Sequence, residues 1–156
     1  GVNVIRAVSA AEMHEAVMRE LPNATVFVGA AAVADYAPAN TANPKIKKGH
    51  NDTMTLELKK TADILADVSK DRHEGLLVVG FAAETNNVIE YARSKMAKKG
   101  LDMVVANDIT QEGAGFNVDT NIATIITGDS ETELPLMTKR ELADRILDEI
   151  VRQRKQ

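Results

Sequence analysis

Three short apolar runs limit what this chain can become: Val26 to Ala34 (VFVGAAAVA), Leu76 to Ala83 (LLVVGFAA) and Leu101 to Ala106 (LDMVVA). Each reads as a strand buried on both faces, as in a parallel sheet covered by helices. Each also runs straight into polar groups: Asp35, then Glu84 with Asn86, then Asn107 with Asp108. Ligands of open α/β sheets bind outside the carboxyl ends of the strands, so this convergence marks the place to look for a site. The first run has only Gly and Ala through its middle, which lets a ligand approach the backbone closely. It is followed by a turn-rich stretch with Pro38, Asn40, Asn43 and Pro44, and by Lys45, Lys47 and Lys48, so its ligand is expected to be an anion.

The intervening segments are consistent with that frame. Val2 to Val8 reads as a first strand, and Ser9 with Glu12 reads as a capping box opening a helix that ends at Pro22. Strand, helix and the run from Val26 then make one β-α-β unit with a right-handed crossover. The turn from Thr61 to Ile64 opens a short amphipathic helix through Val68, and a longer helix over Asn87 to Lys99 is closed by Gly100. Residues 110 to 120 carry two glycines and no periodicity, as expected of a loop that lies across a ligand. The last helix starts at Thr138, with Leu142, Ile146, Leu147, Ile150 and Val151 expected inward.

Two stretches do not suit a sheet buried on both faces. Met54 to Leu58 alternates apolar and polar residues, and Asn121 to Thr127 forms a hairpin with Leu134 to Leu136 around GDSETE. Both are expected to pair outside the main sheet, with an exposed apolar face that a second subunit would cover. The expected fold is α/β: a Rossmann-like three-layer parallel sheet with a small antiparallel dimerisation extension at about 45–60 and 121–136, in a single domain over residues 1–156.

Composition narrows the function. A chain of 156 residues with 44% hydrophobic and 27% charged residues suits one globular domain, and a net charge of −4 argues against a general nucleic-acid binder. The absence of cysteine excludes a disulfide scaffold, a thiolate metal site and a cysteine nucleophile, and fits a reducing cytoplasm. No apolar run reaches the length of a membrane span. His14, His50 and His73 are scattered and do not suggest a metal or catalytic cluster. No G-x-G-x-x-G, P-loop or G-x-S-x-G motif is present.

Several residues admit two readings. Lys45, Lys47 and Lys48 suit a solvated loop or a polyphosphate site. Asp35 suits a turn or the hydroxyls of a sugar. Lys95 and Lys99 lie four apart on one helical face, where the helix dipole or a bound phosphate chain would offset their repulsion. Glu84 and Asp108 are not distinguished by spacing.

AAVADY at 31–36, KIKK at 45–48, GFAAET at 80–85, the Lys95 and Lys99 pair, AND at 106–108 and GFN at 115–117 occur in this order. Together they resemble the phosphopantothenate-cysteine ligase family, also called phosphopantothenoylcysteine synthetase, and in particular its bacterial form, in which the ligase is fused to a flavin-dependent decarboxylase. The resemblance implies CTP-dependent joining of 4'-phosphopantothenate to cysteine through an acyl-cytidylate, in a cytoplasmic homodimer of coenzyme A biosynthesis. It implies a nucleotide site at Ala31, Ala32, Asp35, Lys45, Thr61, Ala62, Asp63, Ile64, Phe81, Lys95 and Lys99. It further implies a catalytic role for Lys45, substrate contacts at Ala32 and Asn107, Mg2+ entering with CTP rather than on protein ligands, and FMN confined to the fused decarboxylase. The family's N-terminal segment with its glycine-containing turn has no counterpart here, so the chain is expected to be a fragment that is inactive alone. Two other readings stay open: a short-chain oxidoreductase-like NAD(P) domain, for which Tyr91 and Lys95 supply Tyr-x-x-x-Lys, and a non-catalytic dimerisation module.

Overall fold

The computed structural model describes residues 1–40, 45–47, 53–111, 113–114 and 117–155. Asn43, Pro44, Lys48, His50, Gly115 and Phe116, invoked above, lie outside the described residues.

The chain builds a five-stranded sheet in the order β1-β4-β5-β6-β7, where β1 is Val26–Gly29, β4 Leu77–Glu84, β5 Met103–Asp108, β6 Thr120–Thr127 and β7 Glu131–Thr138. The first three are parallel, as their apolar runs imply, while β6 and β7 return antiparallel. Helices α1 (Ala10–Glu20), α2 (Ile64–Lys70) and α3 (Val88–Lys99) pack on one face through Val68, Val78, Ala92 and Val104. Helix α4 (Lys139–Gln153) packs on the other through Val79, Met103, Val105 and Ile146. Alternate residues of β4 and β5 thus serve opposite cores, giving three layers in a Rossmann-like arrangement with a mixed sheet.

The hairpin is therefore part of the main sheet and not an outlying extension. The physical reason is the adjacent pair Ile125 and Ile126, both buried, one in each core, which only a strand covered on both sides accommodates. The separate antiparallel piece is smaller, β2 (Tyr36–Pro38) with β3 (Leu58–Lys60), and Tyr36, Met54, Leu56 and Leu58 are exposed on or beside it.

The expected N-terminal strand is absent. Val2, Val4, Ile5 and Val8 are exposed, β1 is the sheet's edge, and Val28 is 41% exposed, so residues 2–8 have neither a ladder nor a core to order them as a strand. The first strand is also shorter than its apolar run, because the small residues from Ala30 onward leave the sheet as a loop. In α4, Leu142, Ile146 and Ile150 are buried, but Leu147 and Val151 are 55% and 50% exposed. A single helix on a sheet buries one narrow stripe, and these two lie beyond it.

Local signals otherwise act as expected. Ser9 Oγ accepts from the Glu12 N–H, but Glu12 Oε2 accepts from the Val8 N–H instead of closing a full box. Thr138 and Glu141 do close one at the start of α4. Gly100 ends α3 with φ of 61°, a left-handed cap that glycine adopts without a Cβ penalty.

Candidate active site

Glycine brings α2 down onto the sheet. Gly29 and Gly80 are register partners on β1 and β4, and Leu65 of α2 sits over both: a Cβ on Gly29 would lie 3.3 Å from Leu65 Cδ1, and one on Gly80 3.0 Å from Leu65 Cδ2 and 2.8 Å from Leu101 Cδ1. This close approach carries the start of α2 to the strand ends. Asp63 caps α2, its Oδ1 accepting from the Ala66 N–H at 3.1 Å. The loop leaving β1 is pinned beside it: Thr61 Oγ1 donates to the Ala34 carbonyl at 2.6 Å and the Thr61 N–H to the Asp35 carbonyl at 3.0 Å.

Between these parts lies a cleft of about 830 Å³. Its polar wall comes from α2 and α3. Lys95 Nζ donates to the Phe81 carbonyl at 2.6 Å, and Lys99 Nζ forms an ion pair with Asp63 at 2.9 Å. Helical side chains slant toward the N-terminus, which is how both lysines reach back from the second half of α3. Burial, followed by the charge of Lys99, holds the Lys95 ammonium below its ordinary range despite the opposing pull of Glu84, Asp63 and Asp35. Burial pushes the Asp63 carboxyl up, but the bonds from Lys99 and the Ala66 N–H outweigh it and hold the group low. Lys95 is thus a half-buried cation whose one hydrogen bond among the described residues is to a neutral carbonyl, so a bound anion would stabilise it.

Most of the residues implied by the resemblance meet here. Ala31, Ala32, Asp35, Thr61, Ala62, Asp63, Ile64, Phe81, Lys95, Lys99 and Asn107 all line the cleft. Lys45 and Lys47 are exposed and do not line it. Of the polar groups that end the strands, Asp35 and Asn107 face the cleft while Glu84 and Asp108 do not. Asp108 is engaged locally: Thr110 donates to it from Oγ1 at 2.6 Å and from its N–H at 2.9 Å, bonds that hold its carboxyl low. Tyr91 is exposed and outside the cleft, so the Tyr-x-x-x-Lys letters do not form a site. Among the described residues no group of three His, Asp or Glu side chains is placed to hold a metal.

The model of the DNA/pantothenate metabolism flavoprotein C-terminal domain matches residues 1–153. The chain belongs to that family. Family members similar to it include the coenzyme A biosynthesis bifunctional proteins CoaBC of Vibrio cholerae, 45% identical over 148 residues, and of Bacillus subtilis, 46% identical over 149. These alignments cover 94% and 95% of this chain but 37% and 36% of the relatives, so the chain spans little more than a third of their length. The crystal structure of the C-terminal domain of a CoaBC protein superposes with a TM-score of 0.76 at 38% identity, covering 96% of this chain and 66% of that one.

The cleft also holds residues that local sequence did not single out. Lys139, the first residue of α4, and Asn121, at the start of β6, line it on the side away from Lys95. The capping box at Thr138 and Glu141 shows that a helix begins there, but nothing nearby in sequence ties that helix end to the distant loop at Asp35. No helix among the described residues is long and apolar enough to cross a membrane.

Proposed function

We propose that this chain is the nucleotide-binding part of a phosphopantothenate-cysteine ligase that uses CTP, and that it acts in the cytoplasm in coenzyme A biosynthesis. One observation carries the reading: Lys95, half-buried against a neutral carbonyl with Lys99 beside it, lines a cleft at the strand ends together with Asp35 and the turn at Thr61 to Ile64. That arrangement suits a polyphosphate on the lysines and ribose hydroxyls on Asp35. The family and the name borne by the CoaBC relatives supply the pathway.

In the proposed reaction a carboxylate oxygen of 4'-phosphopantothenate attacks the α-phosphorus of CTP, forming the acyl-cytidylate and releasing pyrophosphate. The cysteine amine then attacks the acyl carbon, CMP leaves with the bonding electrons, and the nitrogen loses a proton to give the amide. An anionic nucleophile must approach an anionic triphosphate, so positive charge where they meet lowers the barrier. Lys95 and Lys99 supply it from the cleft wall. Lys45, which is exposed, is assigned to the activated intermediate. Mg2+ enters as the CTP complex. Residues 1–156 act as one domain, FMN belongs to a fused decarboxylase, and a second copy of the chain covers the exposed apolar residues around β2 and β3.

Thermal unfolding tests the nucleotide assignment, because a ligand bound only by the folded state raises the midpoint. A rise with Mg-CTP that is lost in Lys95→Ala is expected. A rise with NAD and none with CTP would replace the ligase by a nicotinamide-binding domain. Sedimentation showing only monomer at high concentration would remove the second copy.

A further inference from the structure

Helix α2 has 7 residues, too few for a helix to hold itself in water, so its place is set by what it touches. Ile64 and Val68 are buried, and Leu65 lies over Gly29 and Gly80, which fixes the height of α2 above the sheet. Apolar packing is not directional and leaves a short helix able to slide or turn. Two directional bonds from neighbouring helices remove that freedom. Asp63, at the start of α2, is paired with Lys99 of α3 at 2.9 Å. Asp67, one turn later, is held by α1: His14 Nε2 donates to Asp67 Oδ2 at 2.8 Å, since a carboxylate only accepts.

The His14 bond is the one hydrogen bond between α1 and α2 among the described residues. The side chains of His14 and Asp67 are 28% and 40% exposed, so the bond is screened only in part. Neither residue lines the cleft, but their neighbours do: Met13 and Val17 from α1, Asp63, Ile64 and Leu65 from α2. The start of α2 is bonded onward to the loop leaving β1, through Thr61 to the Ala34 and Asp35 carbonyls. A shift of α2 therefore carries the Asp35 loop with it. Lys95 stands outside this series of bonds, because it belongs to α3 and is bonded to the Phe81 carbonyl of β4.

We infer that His14 is a positioning residue for the nucleotide site: by bonding Asp67 it holds α2, and through Thr61 the loop at Asp35, at the separation from Lys95 that the nucleoside end of CTP requires. The inference rests on the ligase reading above and extends it to a pair of residues that touch no ligand themselves. It separates the two ends of the nucleotide. The ribose and base depend on elements that His14 holds in place, whereas the phosphates rest on the lysines of α3.

The test is calorimetric titration of Mg-CTP and, separately, of magnesium pyrophosphate into the chain and its variants, with melting midpoints recorded beside them. His14→Ala is expected to weaken Mg-CTP binding about fivefold, the scale of one partly screened bond, and to leave pyrophosphate within about twofold. Asp67→Ala is expected to do the same, and the double variant to be no worse than either single one, because both remove one interaction. His14→Gln, which keeps an N–H donor of similar reach, is expected to restore most of the loss. The inference is overturned by a lowered midpoint with unchanged CTP affinity, which would make the pair a matter of stability alone. It is also overturned by an equal loss for pyrophosphate, by additive losses in the double variant, or by no recovery in His14→Gln. Failure of the unaltered chain to bind CTP is a different result, because it removes the ligase reading itself.

Discussion

On one face of the sheet α2 and α3 lie close above β1 and β4, and the lysines that reach the cleft, Lys95 and Lys99, come from the second half of a helix. On the other face α4 is the one helix of the layer among the described residues, and its cation, Lys139, is the helix's first residue, set at the strand ends. The first pair is enclosed and entangled: Lys95 is half-buried and Lys99 is tied to Asp63. The second is exposed and has no ion pair among the described residues. The difference teaches that burial, more than the number of charges, sets how strongly a cation responds to a ligand, because charge in a partly desolvated wall is less screened than charge in water.

The sharpest way to break this comparison is to exchange the lysines' expected order. Lys95→Ala should weaken CTP binding about 10–100-fold, the effect of losing one charged hydrogen bond worth roughly 1.5–3 kcal/mol, whereas Lys99→Ala should weaken it only severalfold because Asp63 already engages that ammonium. Calorimetry that finds Lys99 dominant would reverse the assignment of the two. The next effect is on the floor beneath α2. Gly80→Ala should destabilise the fold by about 1–3 kcal/mol, since its Cβ meets Leu101 and Leu65, while Gly128→Ala, with nothing within 4 Å, should stay within about 0.5 kcal/mol. Equal midpoints in denaturant melts of the two variants would show that α2 does not need the glycine floor.

A third effect sharpens the burial argument through pH. Lys95 has its pKa depressed in the free protein, and a bound anion raises it, so binding takes up protons in the interval between the free and bound values. CTP affinity should therefore be flat below the free value and fall as pH rises through that interval, by less than about tenfold per pH unit for one proton; the slope should vanish in Lys95→Arg. An affinity that rises with pH would remove Lys95 from the phosphate site. The smallest effect concerns α4. Thr138→Ala removes the capping box beside Lys139 and should cost about 1 kcal/mol of stability, with CTP affinity unchanged. A loss of CTP affinity without a change in melting would link the two faces more tightly than drawn.

Much of this was legible in the chain. The runs in β4 and β5 have two-sided burial written into them, and α3 and its Gly100 stop follow from local periodicity and capping. The cleft was foreshadowed by the polar groups that end the strands, although only Asp35 and Asn107 among them face it. Glu84 and Asp108 show why spacing was insufficient: successive residues of a strand point to opposite faces, and a carboxylate beside Thr110 satisfies itself locally. The hairpin's place in the main sheet has a related cause: its alternation suits a half-exposed strand, but the adjacent buried pair Ile125 and Ile126 requires cover on both faces. Residues 2–8 have strand-forming letters, but a strand requires a partner.

The sequence by itself determined the buried strands β4 and β5, the caps at Thr138 and Gly100 and the family, because each depends on a few neighbouring residues or on motifs kept in order. Only the tertiary structure decided which groups share a space: that Gly29 and Gly80 form one floor, that Lys95 is held against the Phe81 carbonyl, and that Lys139 returns to the strand ends where Asn107 is buried. These are contacts between residues far apart in the chain, fixed by strand register and by which face each helix covers, and no local pattern encodes them.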